Sequence, residues 1–331
     1  AFADVVAGTF NGFAANEAGE LMKVTANGAV ATTSMLFIIE AVALGMLLKY
    51  GKLPKWLNTV IAVAMLVAAV AVGLKFPIFL SRGVWHIIIF LYIMVACVVP
   101  VWALLQPRDY LNSYLLVFMI AAAVVGIFVA NPACNLEAFS GFHVDGQYLF
   151  PILFVTIACG AVSGFHSLVS SGTASKQIKN EKNMLPVSFG AMLLESLLAI
   201  TALIAAGFVA TQEGLPAGTP PQLFAQAISI FLTSLGLPES VCYTLITLAI
   251  SAFALTSLDS VARVGRIAFQ EFFTDDSIAP EDQSPLNKVL TNKYFATILT
   301  LLLCYALSRA GYASIWPLFG SANQLLSALA L

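Results

Sequence analysis

Apolar runs of bilayer length recur along this chain, and they constrain its fold more than any single motif does. Leu57 to Leu74 is the cleanest, rich in Ala and Val. Ala26 to Leu48, His86 to Leu105, Ser113 to Ala130, Pro186 to Ala210 and Ser240 to Leu258 are others, and Lys293 to Ser308 and Ile315 to Leu331 close the chain. A hydrocarbon core of about 30 Å takes about 20 helical residues to cross. Backbone inside it satisfies its polar groups only as helix or closed barrel. The chain is 60% hydrophobic and 10% charged, where soluble domains carry about 25% charged residues. These runs predict an all-α, polytopic transmembrane helical bundle.

The remaining segments divide around those spans. Ala1 to Phe13 reads as the tail of a membrane helix, and Leu149 to about Val169 as a further helix. Leu223 to Leu235 is too short to span upright. Asp259 to Phe273 reads as a separate amphipathic helix after the preceding span ends at Leu258, and Pro107-Arg108-Asp109 closes the span before it. Asn16 to Val24, Asn131 to Gln147, Ala174 to Leu185, Thr211 to Gln222 and Thr274 to Asn292 read as loops. Because the chain starts at Ala1 and stops at Leu331 inside apolar runs, residues 1–331 are expected to be a single transmembrane domain truncated at both ends.

Alternating the loops sets an orientation. With the Lys49 loop in the cytoplasm, only Lys23, Lys75, Arg82 and Arg309 of the 15 Lys and Arg fall outside. That is the positive-inside bias, provided Leu223 to Leu235 does not cross. No basic tract points to nucleic acid. Of the cysteines, only Cys134 lies in a loop, without a loop partner, and no metal-ligand spacing occurs. No cofactor or metal is implied. Neither a phosphate-binding G-x-x-x-x-G-K-[ST] loop nor an H-E-x-x-H or G-x-S-x-G motif is present. An ATP-driven pump and an intramembrane hydrolase are both disfavoured.

Chemistry gathers at Cys159 to Thr173, C-G-A-V-S-G-F-H-S-L-V-S-S-G-T. Hydrocarbon tolerates such a polar, glycine-bearing stretch only where it faces protein or a water-filled cavity, and interrupted helices of this kind line the substrate sites of secondary transporters. Ser163, Gly164, His166, Ser167, Ser170, Ser171, Gly172 and Thr173 are therefore candidates to meet a substrate, together with Asn323 and Gln324 in the last span. Gly160 and Gly164 also form a G-x-x-x-G pair, more often a sign of close helix packing. An unperturbed histidine titrates near neutral pH, at about 6.5, which singles out His166. With Glu195, which falls near the middle of its span, it is the candidate proton carrier. Each also has a structural reading, as a side chain bonded to a neighbouring helix. Asp259 lies four and seven residues before Arg263 and Arg266, on one helical face, as an ion pair or a gate contact. Asp4 and Glu40 are intramembrane carboxylates of uncertain depth.

Several stretches together resemble the carbon starvation protein A family: A-D-V-V-A-G-T-F-N-G-F at 3–13, V-P-V-W-A-L-L-Q-P-R-D-Y-L-N-S at 99–113, S-G-F-H-S-L-V-S-S-G-T at 163–173, G-A-M-L-L-E-S at 190–196, T-S-L-D-S-V-A-R-V-G-R at 256–266 and W-P-L-F-G-S-A-N-Q-L-L at 316–326. The resemblance implies a bacterial inner-membrane, multi-pass transporter for peptides or pyruvate, induced by carbon limitation. It places the chain with the amino acid–polyamine–organocation transporters, whose fold is two inverted five-helix repeats with discontinuous helices near the midplane. The chain is then a fragment of such a five-plus-five fold, and S-G-F-H-S one of its broken helices. The expected activity is secondary transport of a peptide or small carboxylate by proton symport, with sodium as the alternative coupling ion and the lipid bilayer as its surroundings. A membrane sensor of carbon limitation that moves nothing is the other reading. No catalytic residue follows from the resemblance.

Overall fold

The computed structural model of the chain describes residues 2–15, 20–51, 53–137, 139–144, 146–154, 157, 163–175, 177–211, 216, 219–274, 284–309 and 311–330. It opens with α1 (Phe2–Thr9) and an antiparallel hairpin of β1 (Phe13–Ala15) and β2 (Leu21–Lys23). Then come α2 (Thr25–Tyr50), α3 (Lys55–Lys75), α4 (Arg82–Val98) and α5 (Leu105–Ala130). A second small hairpin, β3 (His143–Val144) with β4 (Gln147–Tyr148), leads into a kinked segment at Leu149–Leu153, where Phe150 is extended. The short α6 (Gly164–Val169) runs into a π-helical turn at Ser170–Ala174, before α7 (Met184–Val209) and α8 (Pro220–Thr233). The last helices are α9 (Glu239–Phe272), α10 (Pro285–Leu290), α11 (Lys293–Ser308) and α12 (Tyr312–Ala330).

Among the described residues, five helices are long and apolar enough to cross a membrane: Thr25–Tyr50, Trp56–Lys75, Leu105–Ala130, Glu181–Val209 and Glu239–Phe272. Arg82–Val98 and Lys293–Ser308 are apolar but shorter. The protein is an all-α membrane protein.

The helices form two compact units, one of residues 2–121 and 236–309, the other of residues 122–235 and 310–331. In the first, α9 packs against α1, α2, α4 and α11, while α2 lies along α3. Ile246, Leu248 and Ala249 of α9 are buried, as are Val6 of α1, Phe10 just after it, Val30 of α2 and Ile89 of α4. Lipid offers no hydrophobic drive for helix association, so small residues and close packing carry it. Gly73 of α3 shows this. A Cβ there would lie 2.8 Å from the carbonyl oxygen of Ala29 on α2. In the second unit α7 packs on α8, and α6 on α12. The outer side of α7 presents Leu185, Leu193, Ile200 and Leu203, all exposed, a lipid-facing composition.

Several boundaries differ from the sequence expectation, each for a local reason. The supposed break at Leu258 is absent: α9 runs unbroken for 34 residues, about 50 Å at 1.5 Å per residue. No Pro interrupts it, Gly265 is accommodated within it, and Asp259 finds its partners on other helices. α5 starts at Leu105 rather than at Ser113, because Pro107 falls in a first turn whose N–H groups have no intrahelical acceptor anyway. Arg108 and Asp109 are thereby helical, not loop. The segment expected at Leu223 begins at Pro220, where Thr219 and Gln222 form a capping box ahead of proline. Leu21–Lys23 is a strand, not loop, and Phe13 belongs to the strand it pairs with. The expected helix from Leu149 to Val169 is interrupted: Ser163 is extended, at φ −105° and ψ 123°, and caps α6. Cys159 and Gly160 lie outside the described residues, as do Lys52 and Lys176 of the basic loops and positions 275–283 of the long polar segment.

Candidate functional site

The most buried polar chemistry lies in the unit built on α9. Asp259, at 0% exposure, sits mid-helix and faces Arg108 of α5, itself 2% exposed. Arg108 Nη1 lies 2.5 Å from Asp259 Oδ2. The Tyr92 hydroxyl of α4 donates to the same carboxylate oxygen at 2.8 Å and accepts from Arg108 Nη1. One turn further along α5, Asn112 donates to Thr256 Oγ1 of α9 at 2.9 Å. Three helices are thus tied by a charge-assisted network, the arrangement that keeps a buried charge tolerable.

Spacing alone sets Asp259 beside Arg263 and Arg266. The structure gives those arginines a different task. Arg263 Nη2 donates to the carbonyls of Ala96 and Val99, Arg266 Nη1 to that of Cys97 at 2.8 Å, and Lys293 Nζ to that of Val98 at 2.6 Å. These are the last carbonyls of α4, which have no helical N–H to accept from. Three cations there also complement the negative end of the helix dipole. The ion pair expected within α9 is accordingly made between α9 and α5.

A second ionic cluster ties α1 to α4. Asp4, 3% exposed, pairs with Arg82 Nη2 at 2.7 Å and His86 Nε2 at 3.1 Å. The Trp85 ring between them in sequence meets Phe10 edge-on, centroids 5.2 Å apart. Glu40 is half-buried, and its Oε2 has no hydrogen-bond partner among the described residues.

The serine-rich segment is built differently. Asn323 of α12, buried, accepts through Oδ1 from the Phe165 N–H at 2.6 Å and from Ser163 Oγ at 3.3 Å. The Ser163 hydroxyl in turn accepts from the His166 N–H at 3.4 Å. Gly164 permits this approach. A Cβ there would lie 2.8 Å from Leu326 Cβ and 2.9 Å from the Ser327 nitrogen. Gly164 thus serves close helix packing. Ser163, Gly164 and Asn323 come together. The other hydroxyls turn back on their own helix: Ser167 to the Gly164 carbonyl, Ser170 to that of Ser167, and Ser171 to those of Ser167 and Leu168. Such back-bonding is the ordinary local solution for serine in a helix. Gly172 and Thr173 contribute backbone to the π-helical turn at Ser170–Ala174. Gln324 is partly buried. His166 and Glu195 are both about half exposed, at 57% and 49%, with Nε2 and Oε2 3.9 Å apart. That is an ion-pair approach rather than a hydrogen bond.

The family model for carbon starvation protein CstA matches residues 1–215 and 211–331. The chain belongs to the CstA family. Similar proteins include the peptide transporter CstA of Bacillus subtilis strain 168, 33% identical over 282 residues and covering 72% of this chain and 46% of that protein. The peptide transporter CstA of Escherichia coli K12 is 32% identical over 307 residues, covering 72% and 43%. The pyruvate/proton symporter BtsT of Escherichia coli K12 is 44% identical over 136 residues, covering 39% and 19%. This CstA-family chain therefore spans less than half the length of the curated relatives it matches. No solved structure matches it.

Of the stretches that carry the family resemblance, 99–113 and 256–266 meet at the Arg108–Asp259 pair, and 163–173 and 316–326 meet at Asn323. Tyr92, Arg82 and His86 had no such flag. For Arg108 a signal existed: a proline one residue earlier marks a helix start as readily as a loop.

Proposed function

We propose that this CstA-family chain is part of a secondary transporter, in the bacterial inner membrane, that takes up peptides or a small carboxylate such as pyruvate by proton symport. The observation that carries this reading is the fully buried Arg108–Asp259 pair between membrane-length helices. Charges buried among membrane helices are costly and rare, and they mark substrate and ion pathways. The similarity to a peptide transporter and to a pyruvate/proton symporter supports the same reading. Residues 1–331 would be part of one transmembrane transporter domain of inverted five-plus-five repeats, with the interruption at Ser163 as one of its broken helices.

Within that reading the segment Ser163, Gly164, His166, Ser167, Ser170, Ser171, Gly172 and Thr173, with Asn323 and Gln324, borders the substrate path. His166 and Glu195 relay the proton, and Asp259 with Arg263 and Arg266 belongs to a gate at the end of α4. The test is uptake of labelled pyruvate and of a labelled dipeptide into proteoliposomes holding the full-length protein, under an inward proton gradient, with and without sodium. Uptake that an uncoupler abolishes is expected; no uptake of either by folded protein overturns the reading. Glu195→Gln should then abolish proton-driven uptake and His166→Ala should alter its pH profile. A profile identical to the parent removes that residue from the relay.

A further inference from the structure

The Arg108 guanidinium is only half used. Nη1 serves Asp259 and Tyr92, while Nε and Nη2 are buried with no hydrogen-bond partner among the described residues. Those two nitrogens share one edge of the planar group, and their N–H bonds run parallel. That edge matches the two oxygens of a carboxylate. Buried donors are nearly always satisfied, so a pair left open on a side chain 2% exposed calls for a missing partner. The neighbouring cations do not share this property to the same degree. Arg263 and Arg266 are only partly buried and hold the carbonyls that end α4. The Asp259 carboxylate and the Tyr92 hydroxyl fix the guanidinium plane from its other side, which is how a binding residue is kept in one orientation.

We propose that the Nε–Nη2 edge of Arg108 is the carboxylate clamp of the transported substrate, taking the carboxylate of a 2-oxo acid or the C-terminal carboxylate of a peptide. This rests on the transport reading and adds to it the group that recognises the cargo. Asp259 and Tyr92 are positioning residues. Both nitrogens are sealed from solvent here, so the clamp is reached only when the helices around it part, as alternating access requires.

The test uses the purified full-length protein. Thermal stabilisation is measured with pyruvate, with a dipeptide, and with the same dipeptide carrying a C-terminal amide. The parent should be stabilised by both acids and not by the amide. Arg108→Lys keeps the charge that Asp259 needs but loses the fork. Its affinity for the acids should fall on the order of tenfold to a hundredfold. Equal stabilisation of the parent by acid and amide, or by neither acid, overturns the clamp, as does an Arg108→Lys protein that binds the acids like the parent. Should the lysine variant fail to fold, the exchange of Arg108→Asp with Asp259→Arg restores the ion pair. It should assemble without taking up either acid, and recovered uptake would return Arg108 to a purely structural role. A parent that binds acids but moves nothing into proteoliposomes fails the transport reading and leaves the clamp standing.

Discussion

Two polar regions of this molecule solve the same problem in opposite ways. The Ser163–Thr173 segment concentrates hydroxyls, glycines and a histidine in one stretch, yet Ser167, Ser170 and Ser171 bond carbonyls of their own helical stretch, and His166 is exposed. The network around Asp259 draws single residues from α4, α5 and α9, far apart in sequence, and buries its charged pair completely. Local satisfaction makes a polar stretch tolerable without binding it to anything else. Satisfaction across helices makes each residue depend on the others, and a half-broken network costs more than none. Polar density along the chain is therefore a poor guide to where the energetically consequential chemistry lies.

Substitutions in the full-length protein, read by denaturant titration in detergent, would break or sharpen that contrast. Arg108→Ala should cost the most, about 3–5 kcal/mol, because it strands the Asp259 carboxylate in a dry interior. His166→Ala, in the region richer in sequence signals, should stay within about 0.5 kcal/mol; equal losses would erase the distinction. Asp4→Asn removes the charge that Arg82 and His86 share and should cost about 1–3 kcal/mol, placing the α1–α4 cluster between the two. Gly164→Ala should be destabilising by about 1–3 kcal/mol, since the added methyl meets α12. Gly190→Ala on α7, where nothing lies within 4 Å, should be neutral or slightly favourable. Ser163→Ala should cost about 1 kcal/mol through the lost cap, whereas Ser170→Ala should change stability by less than about 0.5 kcal/mol. A large Ser170 effect would show that its hydroxyl serves something other than the Ser167 carbonyl.

Part of this was readable from the chain alone. The span at Leu57 to Leu74 became α3 with small shifts at its ends, because an apolar run of that length has no alternative to helix in hydrocarbon. That the polar stretch around Gly164 breaks a helix was legible from its serines and glycines and from the family resemblance, but the cap at Ser163 was not. The pairing of Asp259 was not. Its nearest arginines in sequence, Arg263 and Arg266, look like partners because helical spacing is the only geometry a sequence exposes. In the folded molecule they compete for acceptors brought by α4, and the open carbonyls from Ala96 to Val99 draw them away.

Sequence by itself determined that this chain is a set of membrane helices, where most of them lie, and to which family they belong. Apolar length and local capping are short-range properties, written in consecutive residues. Only the tertiary structure decided that Arg108 faces Asp259, that Asp4 holds Arg82 and His86, and that Asn323 caps the helix starting at Gly164. Those choices depend on which buried donors and acceptors helix packing brings within about 3 Å of each other, and no spacing along a single chain encodes that.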